Sequence, residues 1–189
     1  LERGREVLER DGGAVEAAAA AVSSMESSGI FDAGRGGVLN LDGEVELDCG
    51  IMCGRSLDYG AVVGVKRIDN PVSLARFILE SSDGSARILS REGAEKIAGK
   101  NGFSLVENDQ LVCERERSRY RELLRKLENY HTSHPFLPSD DVPRGTVGCV
   151  ARDRAGGLAA ATSTGGTPMR PAGRVGDSAL PGAGYYASG

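Results

Sequence analysis

The chain has 189 residues, with 40% hydrophobic and 26% charged side chains, a formal net charge of −4 and 27 glycines. That balance excludes a disordered polymer, and the negative charge argues against a nucleic-acid-binding protein. No apolar run is long enough to span a membrane, and so much glycine favours tight turns over a helical bundle.

In chain order, residues 1–28 read as helical. Val7, Leu8, Val15, Ala18, Ala19 and Val22 recur at near-helical spacing, Asp11-Gly12-Gly13 splits the run in two, and Ser27-Ser28-Gly29 ends it. The chain opens Leu1-Glu2-Arg3-Gly4-Arg5, without methionine or signal-peptide pattern, as though already inside a helix. Val38–Leu41 and Glu44–Leu47 predict a hairpin with Asp42-Gly43 as a two-residue turn. Gly60 to Ile68, rich in valine, predicts a strand. Asn70 then reads as a cap and Pro71 as the first turn of a helix running to about Glu80, with a shorter helix from Glu92 to Ala98.

Glu114 to Asn129 predicts a charged helix with one apolar stripe of Tyr120, Leu123, Leu124, Leu127 and Tyr130. Its arginines alternate with glutamates, which favours a solvated face with ion pairs such as Glu122–Lys126 over a nucleic-acid patch. Residues 130–145 carry three prolines and read as an exposed, mobile linker, in which His131 and His134 are surface residues rather than a metal pair. Cys49, Cys53, Cys113 and Cys149 have no paired spacing, so no zinc site is expected and a reducing cytoplasm fits.

The end of the chain carries the chemistry. Residues 146–153 and 157–164 read as two strands joined by Arg154-Ala155-Gly156. If Asp153 faces Gly157, Thr146 lies opposite Thr164, and opposed residues point to one face of a sheet. Thr146 directly follows Gly145. A threonine that becomes the first residue of a chain can use its own α-amine as base, and that amine has a pKa of about 8. Glycine at 145 suits a strained scissile bond. On spacing alone, a plain hairpin with strand-favouring threonines at its ends is the preferred reading.

Three segments change that balance. Gly145-Thr146-Val147-Gly148, Ala159 through Gly166 (Ala-Ala-Ala-Thr-Ser-Thr-Gly-Gly) and Gly173-Arg174-Val175-Gly176-Asp177-Ser178 resemble the motifs of the plant-type asparaginase / isoaspartyl peptidase family of N-terminal-nucleophile (Ntn) hydrolases. Phe31 through Gly36, Glu46 through Met52, Gly60-Ala61-Val62 and Asn70 through Arg76 fit the same family. The resemblance covers nearly the whole chain and is specific in combination.

The resemblance implies an α+β fold, a four-layer αββα sandwich that is incomplete in this chain. Family members begin with a further strand and continue well past Gly189, so truncation at both ends is expected. It implies a single composite domain of an α-subunit region, 1–145, and the start of a β-subunit, 146–189. The implied function is an amidohydrolase, maturing by self-cleavage between Gly145 and Thr146, that acts on the side-chain amide of L-asparagine or on β-aspartyl dipeptides. Thr146 is then the nucleophile and Thr164 orients and polarises it. Arg174 grips the substrate α-carboxylate and Asp177 its α-ammonium, chemistry that suits a guanidinium fork and a carboxylate; Gly166 joins them in the substrate site. Without the family, a surface Arg–Asp pair is the favoured reading.

No cofactor is implied for catalysis. A structural sodium ion is implied, held by the backbone carbonyls of Met25, Glu26, Ser28, Phe31, Ala33 and Arg35, since carbonyl oxygens suit hard cations; a plain helix-ending turn is the alternative. A homodimer of αβ units, no nucleic-acid partner, no membrane and a cytoplasmic location complete the expectation.

Asp32, placed in the catalytic set, stands where the family has asparagine and, when ionised, has no hydrogen to donate. Cys53 replaces a usual aspartate, without a functional account. The family's oxyanion donor comes from a downstream Thr-Gly motif outside these residues. A glycosylasparaginase-like hydrolase is a lesser alternative, because Gly145 stands where those enzymes carry aspartate; a non-catalytic remnant is the alternative from another class.

Overall fold

The computed structural model describes residues 1–81, 84–130 and 145–189. The region 131–144, read as linker with His131 and His134, lies outside the described residues.

The first two helices follow the sequence pattern: α1 spans Glu2–Glu9 and α2 spans Ala14–Ser27, parted by the Asp11-Gly12-Gly13 break. The alanine-rich face of α2 (Ala14, Ala18, Val22) is buried. Val38–Leu47 does not form the regular two-residue hairpin. Leu39 bridges Val45 around a wider loop, because the buried Asn40 turns its Oδ1 onto the N–H groups of Asp42 and Glu44. Regular pairing starts only at β1, Leu47–Cys53, which the sequence reading did not single out as a strand. Strand β2 spans Tyr59–Val65, and α3 spans Pro71–Glu80 with proline in its first turn.

Asn70 precedes α3 but does not cap it through its side chain. Its amide instead bonds Ser23 and Ser27 of α2. The buried Glu26 carboxyl group accepts the Val72 N–H at 3.1 Å on Oε1 and supplies the missing acceptor at the helix start. A short strand β3 (Ile88–Ser90) and a short 3-10 turn (Asn108–Leu111) were not anticipated. Helices α4 (Arg91–Lys100) and α5 (Glu114–Tyr130) were, and the Glu122–Lys126 pair on α5 is formed at 2.6 Å.

Strands β4 (Val147–Arg152) and β5 (Leu158–Thr164) complete one five-stranded sheet, ordered β3-β2-β1-β5-β4 and antiparallel except between β2 and β3. Helices α2 and α3 cover one face, over a core that includes Cys49, Ile51, Val62, Val147, Ala159 and Ala161. The opposite face carries Met52 and Ala160, covered by Tyr185 and Ala187, and continues to Val150, which is 82% exposed. The α+β class is as expected. Of the four expected layers, the described residues supply one sheet and one helical layer. Among them, no helix is long and apolar enough to cross a membrane.

Candidate active site

The β4–β5 hairpin sets the site. Val147 pairs with Ser163 and Arg152 with Leu158, which is the register inferred from Asp153 facing Gly157. The Asp153 carboxylate accepts the Gly157 N–H at 2.7 Å and, with its other oxygen, the Ala14 N–H at the start of α2 at 3.2 Å. The hairpin end is thereby fixed to the first helical layer. One residue beyond the Val147–Ser163 pair, Thr146 Oγ1 donates to Thr164 Oγ1 at 3.0 Å. Thr146 is exposed, whereas Thr164 is 2% exposed. The two hydroxyls thus join a solvent-facing residue to a rigid one, on the sheet face opposite the helices.

Thr164 Oγ1 also accepts the Gly166 N–H at 2.9 Å. Gly166 has φ +85°, in the region that glycine adopts without strain. Gly165 is a close-approach position: a Cβ there would stand 2.2 Å from Asp32 Oδ1 and 2.7 Å from the Val38 nitrogen. Asp32, buried, accepts N–H groups from Val38 at 2.9 Å and Gly165 at 3.1 Å on that same oxygen, and its carbonyl accepts Gly165 N–H as well. Asp32 therefore braces the turn behind Thr164, and its hydrogen bonds do not reach the Thr146 hydroxyl.

Burial pushes the Asp32 carboxyl up to about 7; the Glu116 carboxylate adds to the rise, while the two amides and the Arg170 charge oppose it. A protonated Asp32 regains the donor that asparagine would have. No sequence pattern shows that shift, because the burial that drives it comes from segments remote in sequence, as does the Glu116 charge on α5.

Arg174 and Asp177 lie on the exposed segment after Gly173, and no ion pair joins their side chains. The segment's backbone is held from below. The Glu46 carboxylate accepts the Gly173 N–H at 2.9 Å, Arg170 Nη1 donates to the Arg174 carbonyl at 2.9 Å, and Asp48 Oδ2 accepts the Gly176 N–H at 3.5 Å. Glu46, Asp48 and Arg170 are all buried. Glu46 and Asp48 lie in a family-like segment that assigns them no role, and Arg170 lies outside the motifs. The available signal was two carboxylates two apart in an apolar strand, which share one face and, if buried, require partners.

The loop 25–35 offers a mixed set of carbonyls. That of Met25 already accepts Ser28 N–H at 3.2 Å and Ser28 Oγ at 2.7 Å, and that of Glu26 accepts Arg35 N–H at 2.8 Å. Those of Ser28, Phe31, Ala33 and Arg35 accept no hydrogen bond from the described residues. These four are hard oxygen donors of the kind an alkali cation takes. The Arg115 guanidinium meanwhile donates to the carbonyls of Ile30 at 2.8 Å and Gly29 at 3.3 Å in the same loop.

Comparison with known proteins places the chain in a family. The family model described as asparaginase matches residues 1–189. The chain is 43% identical over 185 residues to an isoaspartyl peptidase/L-asparaginase of Xenopus laevis, covering 98% of this chain and 57% of that protein. It is 41% identical over 191 residues to an isoaspartyl peptidase of Salmonella typhimurium (100% of this chain, 59% of that protein). It is also 42% identical over 178 residues to a plant-type L-asparaginase of Pyrobaculum calidifontis, covering 93% of this chain and 57% of that protein. The chain thus spans between half and two thirds of the length of these relatives.

Proposed function

We propose that this chain, which belongs to the asparaginase family, is part of a hydrolase that cleaves its own Gly145–Thr146 bond and then acts on L-asparagine or β-aspartyl dipeptides. The observation that carries the reading is the 3.0 Å hydrogen bond between Thr146 Oγ1 and Thr164 Oγ1, at the head of a strand and directly after a glycine. The names of the relatives, isoaspartyl peptidase and L-asparaginase, support the substrate class.

In the first step Thr146 Oγ attacks the Gly145 carbonyl carbon. The C–N bond breaks, an ester forms, and the amide nitrogen takes a proton to become the Thr146 α-amine. Water then hydrolyses the ester, leaving one chain that ends at Gly145 and one that begins at Thr146. In the second step the freed α-amine takes the Oγ proton, and Oγ attacks the substrate side-chain carbonyl. The leaving amine departs with a proton, and water resolves the acyl-enzyme. Thr164, held by the Gly166 N–H, fixes the direction of the nucleophilic hydroxyl. Arg174 and Asp177 would take the α-carboxylate and α-ammonium of the substrate. A sodium ion on the carbonyls of Ser28, Phe31, Ala33 and Arg35 would stiffen the loop that carries Asp32. A dimer of cleaved units and a reducing cytoplasm, in keeping with four free cysteines, complete the proposal.

Mass spectrometry of the purified protein tests it. Fragments ending at Gly145 and beginning at Thr146 are expected in the wild type, with a single intact chain in Thr146→Ala. A folded wild type that stays whole for days, or a variant that still splits at this bond, would overturn the assignment.

A further inference from the structure

The loop bearing Arg174 and Asp177 has exposed side chains on a backbone fixed by buried charge, and Arg170 is the centre of that arrangement. Its side chain is 2% exposed and lies against the Asp48 side chain, 1% exposed, with Nη1 to Oδ2 at 3.3 Å. The guanidinium also donates from Nη2 to the Glu46 carbonyl at 2.6 Å and from Nη1 to the Arg174 carbonyl at 2.9 Å. The planar fork serves three acceptors from two nitrogens held apart, whereas an ammonium would have to reach them from a single nitrogen. Gly166 leaves room for it, since a Cβ there would stand 2.6 Å from Nη1. Arg170 Nη1 thus lies beside the Gly166 turn, whose N–H holds Thr164, and also binds the backbone of Arg174.

We propose that Arg170 is the positioning residue of this site: it locks the Arg174–Asp177 segment at a set distance from the Thr146–Thr164 pair. This rests on the functional reading above. Three backbone groups in four residues are pinned: Gly173 N–H by Glu46, Arg174 carbonyl by Arg170, and Gly176 N–H by Asp48. Asp48 is held in turn by the Gly64 N–H at 2.8 Å and pairs with Thr164 across β1 and β5. With the backbone so fixed, Arg174 and Asp177 have only their side-chain rotamers to order when a zwitterionic ligand arrives. The lock also spans the Gly145–Thr146 bond. Glu46, Asp48 and Gly64 precede it and Arg170 follows it, so severing the bond leaves the arrangement intact.

The test uses Arg170→Met/Asp48→Asn, which removes both charges of the Arg170–Asp48 pair together and so strands neither partner, alongside Arg170→Lys. Amide hydrogen exchange is read at Gly173, whose partner Glu46 is untouched, with Ile51 and Ala161 as strand references. The double variant should speed exchange at Gly173 at least tenfold and leave the two strand amides within twofold, with Arg170→Lys in between. For L-asparagine, KM should rise at least tenfold in the double variant with kcat within threefold, and the lysine variant should recover part of the loss. Unchanged exchange at Gly173, or an unchanged KM in a hydrolysing protein, overturns the proposal; so does a double variant that keeps its loop ordered while kcat alone falls. If the wild type hydrolyses nothing but Gly173 responds as stated, the functional reading falls and the anchoring role stands.

Discussion

Replacing Thr164 by valine removes one oxygen and keeps the β-branched shape that suits β5. That oxygen accepts two hydrogen bonds, from Thr146 Oγ1 at 3.0 Å and Gly166 N–H at 2.9 Å. A neutral hydrogen bond contributes about 0.5–1.5 kcal/mol net, so the pair is worth roughly 1–3 kcal/mol. If that interaction is fully expressed in the direction of the attacking hydroxyl, self-cleavage at Gly145–Thr146 slows by about 5- to 150-fold at about 1.4 kcal/mol per tenfold. The assay is the rate at which the fragment beginning at Thr146 appears by mass spectrometry, with circular dichroism to verify that the variant is folded. Thr164→Ser, which keeps the oxygen, should cleave far closer to the wild-type rate. A folded Thr164→Val that cleaves within twofold of the wild type would refute the idea that this hydroxyl orients Thr146.

Two further outcomes concern stability. Burial pushes Glu26 up to about 8 from 4.5, against the opposing Val72 N–H, so between these values the folded chain holds a proton that the unfolded chain has released. Stability must then fall as pH rises from about 4.5 to about 8, by at most about 1.4 kcal/mol per pH unit from this group, and level off above. Asp32, pushed to about 7, acts in the same direction below that pH. Urea unfolding at pH 5.5, 7.0 and 8.0 should show the decline, and Glu26→Gln should flatten it, most clearly between 7 and 8; an equal slope in both proteins would count against the buried, protonated Glu26. Gly165→Ala forces a Cβ to 2.2 Å from Asp32 Oδ1 and should lose about 1–3 kcal/mol in the same assay, and an unchanged midpoint would contradict the close packing of this turn.

The opposition of the two threonines and most of the helices were legible in the residues alone. A strand has a strict period of two, so once Asp153 faces Gly157 every pair up to Thr146 and Thr164 follows. Helices α1 and α2 were equally legible, because apolar spacing and the Asp11-Gly12-Gly13 break act within a few residues. The tertiary structure decided what remained. Asn70 looked like a cap, yet Ser23 and Ser27 of α2 take its amide and Glu26 serves the helix start instead. Nothing near Arg170 in the sequence marks it, because its partner Asp48 lies 122 residues earlier. Burial and charge pairing depend on which distant segments the fold brings together, and periodicity carries no record of that; hydrogen-bond partners inside a low-dielectric interior are chosen by placement in space rather than by spacing along the chain.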